Sequence, residues 1–132
     1  MSVKPSDPQR SFYHTSYLCG ELFGATNRYR LFRERILPKL CSLRSQLDSL
    51  YCENNGRPAV DPVLLAGVTL LQFIEKAPDR VAAERALYHL GWKYALELSD
   101  GGFHPTVLVY FRDRLEENKA ERVIFDGVLA LL

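Results

Sequence analysis

The stretch that most constrains the fold is Asp61 to Phe73. Asp61 followed by Pro62 reads as a helix start, because an Asp at the N-cap accepts from a first-turn N–H and a proline at the first helical position needs no donor. Behind them Val63, Leu64, Leu65, Val68, Leu70, Leu71, Phe73 and Ile74 place apolar side chains on most sides of a helix from Pro62 to about Lys76. A helix that is apolar nearly all round has to be enclosed. The run is interrupted by Gly67, Thr69 and Gln72 and falls short of the roughly 20 residues a membrane span needs. It is therefore expected at the centre of a soluble domain, with the rest of the chain wrapped around it.

The flanking segments carry helical periodicity. Asn27 is an N-cap for a helix over Arg28 to Ile36, and Pro38 is expected to end it and start another. Leu40, Leu43, Leu47 and Leu50 recur at spacings of three and four, an amphipathic helix ending near Tyr51. Glu53 to Pro58 is a breaker cluster. Asp79 is expected to cap a helix from Arg80 to Leu90, in which Val81, Leu87 and Leu90 are apolar and Glu84, Arg85 and His89 polar. Gly91 then caps it or lets it continue into Trp92 to Leu98. After the loop Ser99 to Gly102, His104-Pro105 opens a helix from Thr106 to Glu117 that buries Leu108, Phe111 and Leu115. A last helix runs from Ala120 to Leu132 with Val123, Ile124, Val128 and Leu131 on one side. Residues 1–15, with Pro5 and Pro8, read as a flexible arm, and 16–132 as one helical domain; Ser16 to Gly24 fits a short helix or a turn. No segment alternates with a period of two, so the expected fold is all-α, a compact multi-helix domain and at most a helix-turn-helix variant.

Composition excludes several function classes. There is no GxSxG, HExxH, Walker loop or dinucleotide fingerprint. Cys19, Cys41 and Cys52 form no CxxC pair and read as reduced thiols. His14, His89 and His104 lack zinc-ligand spacing. No catalytic residue, metal, cofactor or small-molecule substrate is expected. The N-terminus lacks an apolar signal segment, so a cytoplasmic location is expected.

The net charge of +1 hides an asymmetry: residues 1–60 hold nine Lys/Arg against five Asp/Glu, and residues 61–132 eight against eleven. The excess is densest where Arg28, Arg30, Arg33, Arg35, Lys39 and Arg44 face only Glu34. One reading is a cationic surface for nucleic acid; the other is a helix face balanced by acids folded against it.

A series of strings in order along the chain carries a family resemblance. GRPAVDPVLLAGVTLLQF (Gly56 to Phe73) is similar to a recurring GRP-x-hydrophobic-x-P-x-x-Leu-Leu signature ending in Leu-Gln-Phe in bacterial insertion-sequence transposases of the DDE type. APDRVAAERALYHLGWKYALEL (Ala77 to Leu98) resembles that family's Ser-Asp-Arg-x-x-x-Glu helix and its Lys-Tyr-Ala-Leu segment. GFHPTVLVYFRDRLEEN (Gly102 to Asn118) looks like its Phe-Arg-x-Arg-Leu helix, and YRLFRERILPKL with LYCENNGRP fits upstream. Where the family often has Ser-Arg before that last motif, Val109-Tyr110 stands here, so one phosphate-binding arginine is missing.

The resemblance covers residues 12 to 130. It implies the helical N-terminal domain of a transposase that binds double-stranded DNA at element ends. The RNase-H-like catalytic domain is expected to be absent, so this chain is not expected to act as an enzyme. The expected DNA contacts are Arg28, Arg30, Arg33, Arg35, Lys39 and Arg44, then Arg112 and Arg114 with Lys119 and Arg122 following, and Arg57 and Tyr110 as further candidates; arginine's fork suits phosphate oxygens. Arg112 and Arg114 are two apart and do not share a helix face, so one of them is expected to bond Glu84, Asp113 or Glu116. Arg80 is expected to pair with Glu84. The apolar last helix motivates another partner, a second copy of the chain.

Overall fold

A computed structural model of the chain describes residues 22–51, 60–98 and 102–131. Among them every regular element is helical and no strand occurs. The first helix, α1 (Arg28–Leu31), begins where Asn27 Oδ1 accepts from the Tyr29 N–H at 2.9 Å. It runs on through a π-helical stretch, Phe32–Ile36, into α2 (Leu37–Ser42).

Pro38 therefore does not break the helix, contrary to the expectation from sequence. A proline clashes with the carbonyl four residues back and offers no N–H. Just ahead of Pro38 the turn is widened: the Leu37 N–H donates to the Phe32 carbonyl, five residues back, and the ring is accommodated. The chain breaks instead at Leu43, whose N–H donates to the Leu40 carbonyl at 3.0 Å before α3 (Arg44–Asp48). Leu40, Leu43, Leu47 and Leu50 are all buried as their spacing predicts, but on two helices and a turn rather than one helix.

The central helix is α4 (Pro62–Glu75), capped by Asp61, whose carboxylate accepts from the Val63 N–H at 2.9 Å. It buries Val63, Leu65, Ala66, Gly67, Val68, Leu70 and Leu71 and ends where Lys76 turns left-handed at φ 54°. Its last turn departs from expectation: Phe73 is 73% and Ile74 49% exposed, while Glu75 on the same turn is enclosed. Phe73 meets Phe125 edge-to-face at 5.5 Å.

A three-residue turn, Lys76 to Pro78, leads to α5 (Asp79–Tyr88). Pro78, not Asp79, holds the N-cap position. The buried face of α5 is Ala82, Ala83 and Ala86, while Leu87, and Leu90 just beyond the helix, are exposed despite being apolar. Three alanines let α5 lie close to its neighbours, and larger side chains turn out to solvent. At His89 the backbone is extended, and its Nδ1 accepts from the Trp92 N–H at 3.1 Å. His89 thus caps α6 (Leu90–Leu96), and Gly91 lies inside that helix rather than ending the one before.

Helix α7 (Thr106–Glu117) opens where the His104 imidazole accepts from the Thr106 N–H at 3.2 Å, and buries Leu108, Phe111 and Leu115 as predicted. Lys119, at φ 54°, turns the chain into α8 (Glu121–Leu129), which buries Ile124. Helix α4 packs on α2, α3, α5, α6 and α7, as its apolar character requires, while α8 closes over α2 and α7. Trp92 and Phe111, both fully buried, are the largest side chains of the core. No helix among the described residues is long and apolar enough to cross a membrane.

Candidate nucleic-acid interface

The cationic cluster of α1 to α3 divides by what each side chain meets. Arg44 lies against Asp61, donating through Nη1 and Nη2 to the two carboxylate oxygens at 2.9 and 2.8 Å. That fork ties α3 to the first turn of α4, and hydrogen bonding to Asp61 raises the pKa of the guanidinium. Arg33 is nearly enclosed: it donates to the Tyr94 carbonyl at 2.6 Å, pairs with Glu97, and lies 4.7 Å from the Tyr94 ring centroid. Arg30 donates to Glu34 at 2.9 Å and to the Phe23 carbonyl at 3.0 Å. Arg28 is more exposed and stands 3.6 Å from Glu75. The side chains of Arg35 and Lys39 have no ion pair or hydrogen-bond partner among the described residues; Arg35 is exposed and Lys39 partly so.

The second cationic set behaves the same way. Arg112 donates to both oxygens of Asp79 at 2.7 and 2.6 Å, joining α7 to the start of α5. Those bonds hold the Asp79 carboxyl below the usual carboxylate range; partial burial opposes the shift, and a 2.9 Å bond from Gln72 supports it. The partner is thus Asp79 and not Glu84, Asp113 or Glu116. Arg114 lies 4.4 Å over the Tyr51 ring, a cation–π contact. No ion pair joins Arg80 to Glu84, which corrects that expectation. With Arg112 and Arg114 engaged, the outward face of α7 carries Thr106, Val109, Tyr110, Asp113, Glu116 and Glu117. Tyr110 is 63% exposed, but the carboxylates beside it make this a poor face for phosphates. Arg57 lies outside the described residues.

Sequence reasoning passed over Glu75, the busiest polar group among the described residues. Its carboxylate, at the end of α4 and only 11% exposed, accepts from the Tyr29 hydroxyl at 2.8 Å, Arg85 at 2.8 Å and the Trp92 indole N–H at 3.3 Å. The Tyr29 hydroxyl pKa is raised by burial and by its bond to Glu75. One signal was available: an acid at a helix C-terminus faces the negative end of the macrodipole and needs compensating donors. Glu97, which closes on Arg33 from a left-handed position, was also missed.

Among the described residues the arrangement is one of structural ion pairs joining distant helices. Among the described residues no three His, Cys, Asp or Glu side chains cluster to hold a metal ion. Cys41 is a free thiol, while Cys19 and Cys52 lie outside the described residues.

Searches among curated proteins and among solved structures returned no match. The profile of a family described as transposase domain (DUF772) matches residues 19–114, from before α1 almost to the end of α7. As the match spans most of the sequence and takes in α1 through α6, the chain belongs to the transposase domain family (DUF772).

Proposed function

We propose that the chain is the DNA-binding N-terminal domain of a DDE-type insertion-sequence transposase, and that it recognises the terminal inverted repeats of a mobile element in duplex form. The observation that carries this reading is the transposase-domain match over residues 19–114. The local cationic excess around α1 to α3 supports it, since phosphate contacts supply most non-specific affinity and groove contacts supply specificity. In this reading strand cutting and joining belong to an RNase-H-like domain with its own carboxylates. The chain's task is to hold an element end in register, or, acting alone, to occupy that end as a regulator.

The test is a salt-titrated binding assay comparing duplexes that carry the element's inverted repeat with random duplexes of equal length. The reading predicts a preference for the repeat of at least about a thousandfold, as for other specific binders. Equal weak binding to both would overturn it.

A second reading, a module that pairs transposase subunits, is favoured by the apolar side chains left in solvent at the end of α4 and on and beyond α8: Phe73, Ile74, Leu129 and Leu131. Light scattering over a concentration series distinguishes them, because a chain that stays monomeric at high concentration does not pair subunits by itself.

A further inference from the structure

Several residues stand out in the sequence as possible DNA contacts, and the structure sorts those it describes by whether their side chains are already occupied. Arg33, Arg44 and Arg112 are each bound to a carboxylate from another part of the chain, and Arg114 is laid over an aromatic ring. Moving any of them onto a phosphate would abandon a contact between helices. Arg30 is tied to Glu34 and to the Phe23 carbonyl.

Arg35 and Lys39 differ from these. They lie four residues apart on the continuous helix that passes from the π-helical stretch into α2, so their side chains leave on the same side. Neither side chain has an ionic or hydrogen-bonding partner among the described residues. The nearest acid in sequence, Glu34, is occupied by Arg30. On α8, the helix packed on α2, Arg122 is largely exposed and stands 3.8 Å from Asp126 in a loose pair. The contrasting face is that of α7, where the cations are engaged and Asp113, Glu116 and Glu117 remain exposed.

We infer that the DNA backbone runs along the outward face of the Phe32–Ser42 segment, with Arg35 and Lys39 as the phosphate contacts, and that Arg33, Arg44, Arg112 and Arg114 are staples that never touch DNA. This inference rests on the DNA-binding reading and narrows it to one face. Two solvent-facing cations on adjacent turns can follow a phosphate backbone without giving up internal bonds.

The experiment is the dependence of log K on log salt concentration for the full chain on inverted-repeat duplex. The wild type is compared with Arg35→Gln/Lys39→Gln and with Arg112→Gln, and thermal unfolding is followed for each. Each phosphate contact contributes about 0.9 to the slope. The double variant is therefore expected to flatten the slope by about 1.8 with its melting temperature unchanged. Arg112→Gln is expected to melt at a lower temperature with its slope unchanged. A double variant that keeps the wild-type slope overturns the assignment while leaving the DNA-binding reading standing, and so does a slope that falls in Arg112→Gln. If wild-type affinity shows no salt dependence at all, the DNA-binding reading itself falls and takes this inference with it.

Discussion

Glu75 concentrates at one carboxylate what several separate interactions do elsewhere. Three neutral or cationic groups from α1, α5 and α6 donate to it, and Arg28 stands nearby. Removing a mostly buried charge while leaving its donors unpaired typically costs about 3 kcal/mol or more. Glu75→Ala is expected to lose about that much stability in urea unfolding, and Glu75→Gln less, since the amide oxygen still accepts from Tyr29 or Trp92. Equal stability of wild type and Glu75→Ala would show that the hub is ornamental. Asp79 offers a pH test. Its carboxyl titrates below the ordinary range because Arg112 binds the ionised form, so its contribution is complete above the ordinary carboxylate pKa and is lost as pH falls through the lower native value. Stability measured from neutral pH into acid should fall less steeply for Asp79→Asn than for the wild type, and parallel curves would contradict the pairing.

At the scale of elements, close packing decides which substitutions are tolerated. A Cβ at Gly91 would sit 2.5 Å from two ring atoms of Tyr29, the same ring whose hydroxyl serves Glu75. Gly91→Ala is expected to cost about 2 kcal/mol through overpacking. At Gly127 the obstacle is the tip of Leu43, 2.9 Å away, which can rotate aside. Alanine also favours the helix there, so Gly127→Ala should stay within about 1 kcal/mol of wild type. Chemical denaturation of both variants checks the contrast, and the reverse order would refute it. Most of the helices were legible in sequence because caps and three-four spacing are local signals: Asn27, Asp61-Pro62 and Leu108/Phe111/Leu115 all behave as read. The passage through Pro38 was not legible, because the rule that proline breaks a helix assumes α geometry around it. The inward face of α5 was hidden for a different reason. It is built of alanines, and hydrophobicity alone does not reveal that a tight contact wants small side chains. The candidate site was legible only as a list of cations. Which of them are free depends on Asp61, Asp79, Glu75 and Glu97, acids brought to them by folding and invisible to local spacing.

For the molecule as a whole, the family match ends within α7 at residue 114, but the packing does not. Helix α8 lies on α2 and α7, buries Ile124 completely, and brings Gly127 against Leu43. Fully burying an isoleucine is worth about 1.5–3 kcal/mol, and most small domains have only 5–15 kcal/mol in total. A chain ending at Lys119 should therefore unfold at markedly lower temperature, with Leu43 and Leu115 uncovered. A truncated chain with the wild-type melting curve, followed by circular dichroism, would mean that the folding unit stops where the family profile does.

The π-helical stretch sets the phase of the longest helical run. A π turn holds about one residue more than an α turn, so the two ends of the run are rotated by roughly 100° from where uninterrupted α geometry would put them. At one end Tyr29 reaches Glu75 and lies over Gly91; at the other Leu40 settles beside Gly67 on the central helix. Both docking faces depend on that offset. A chain one residue shorter between Phe32 and Ile36 would keep both Tyr29 and Leu40 and still be unable to seat both ends at once.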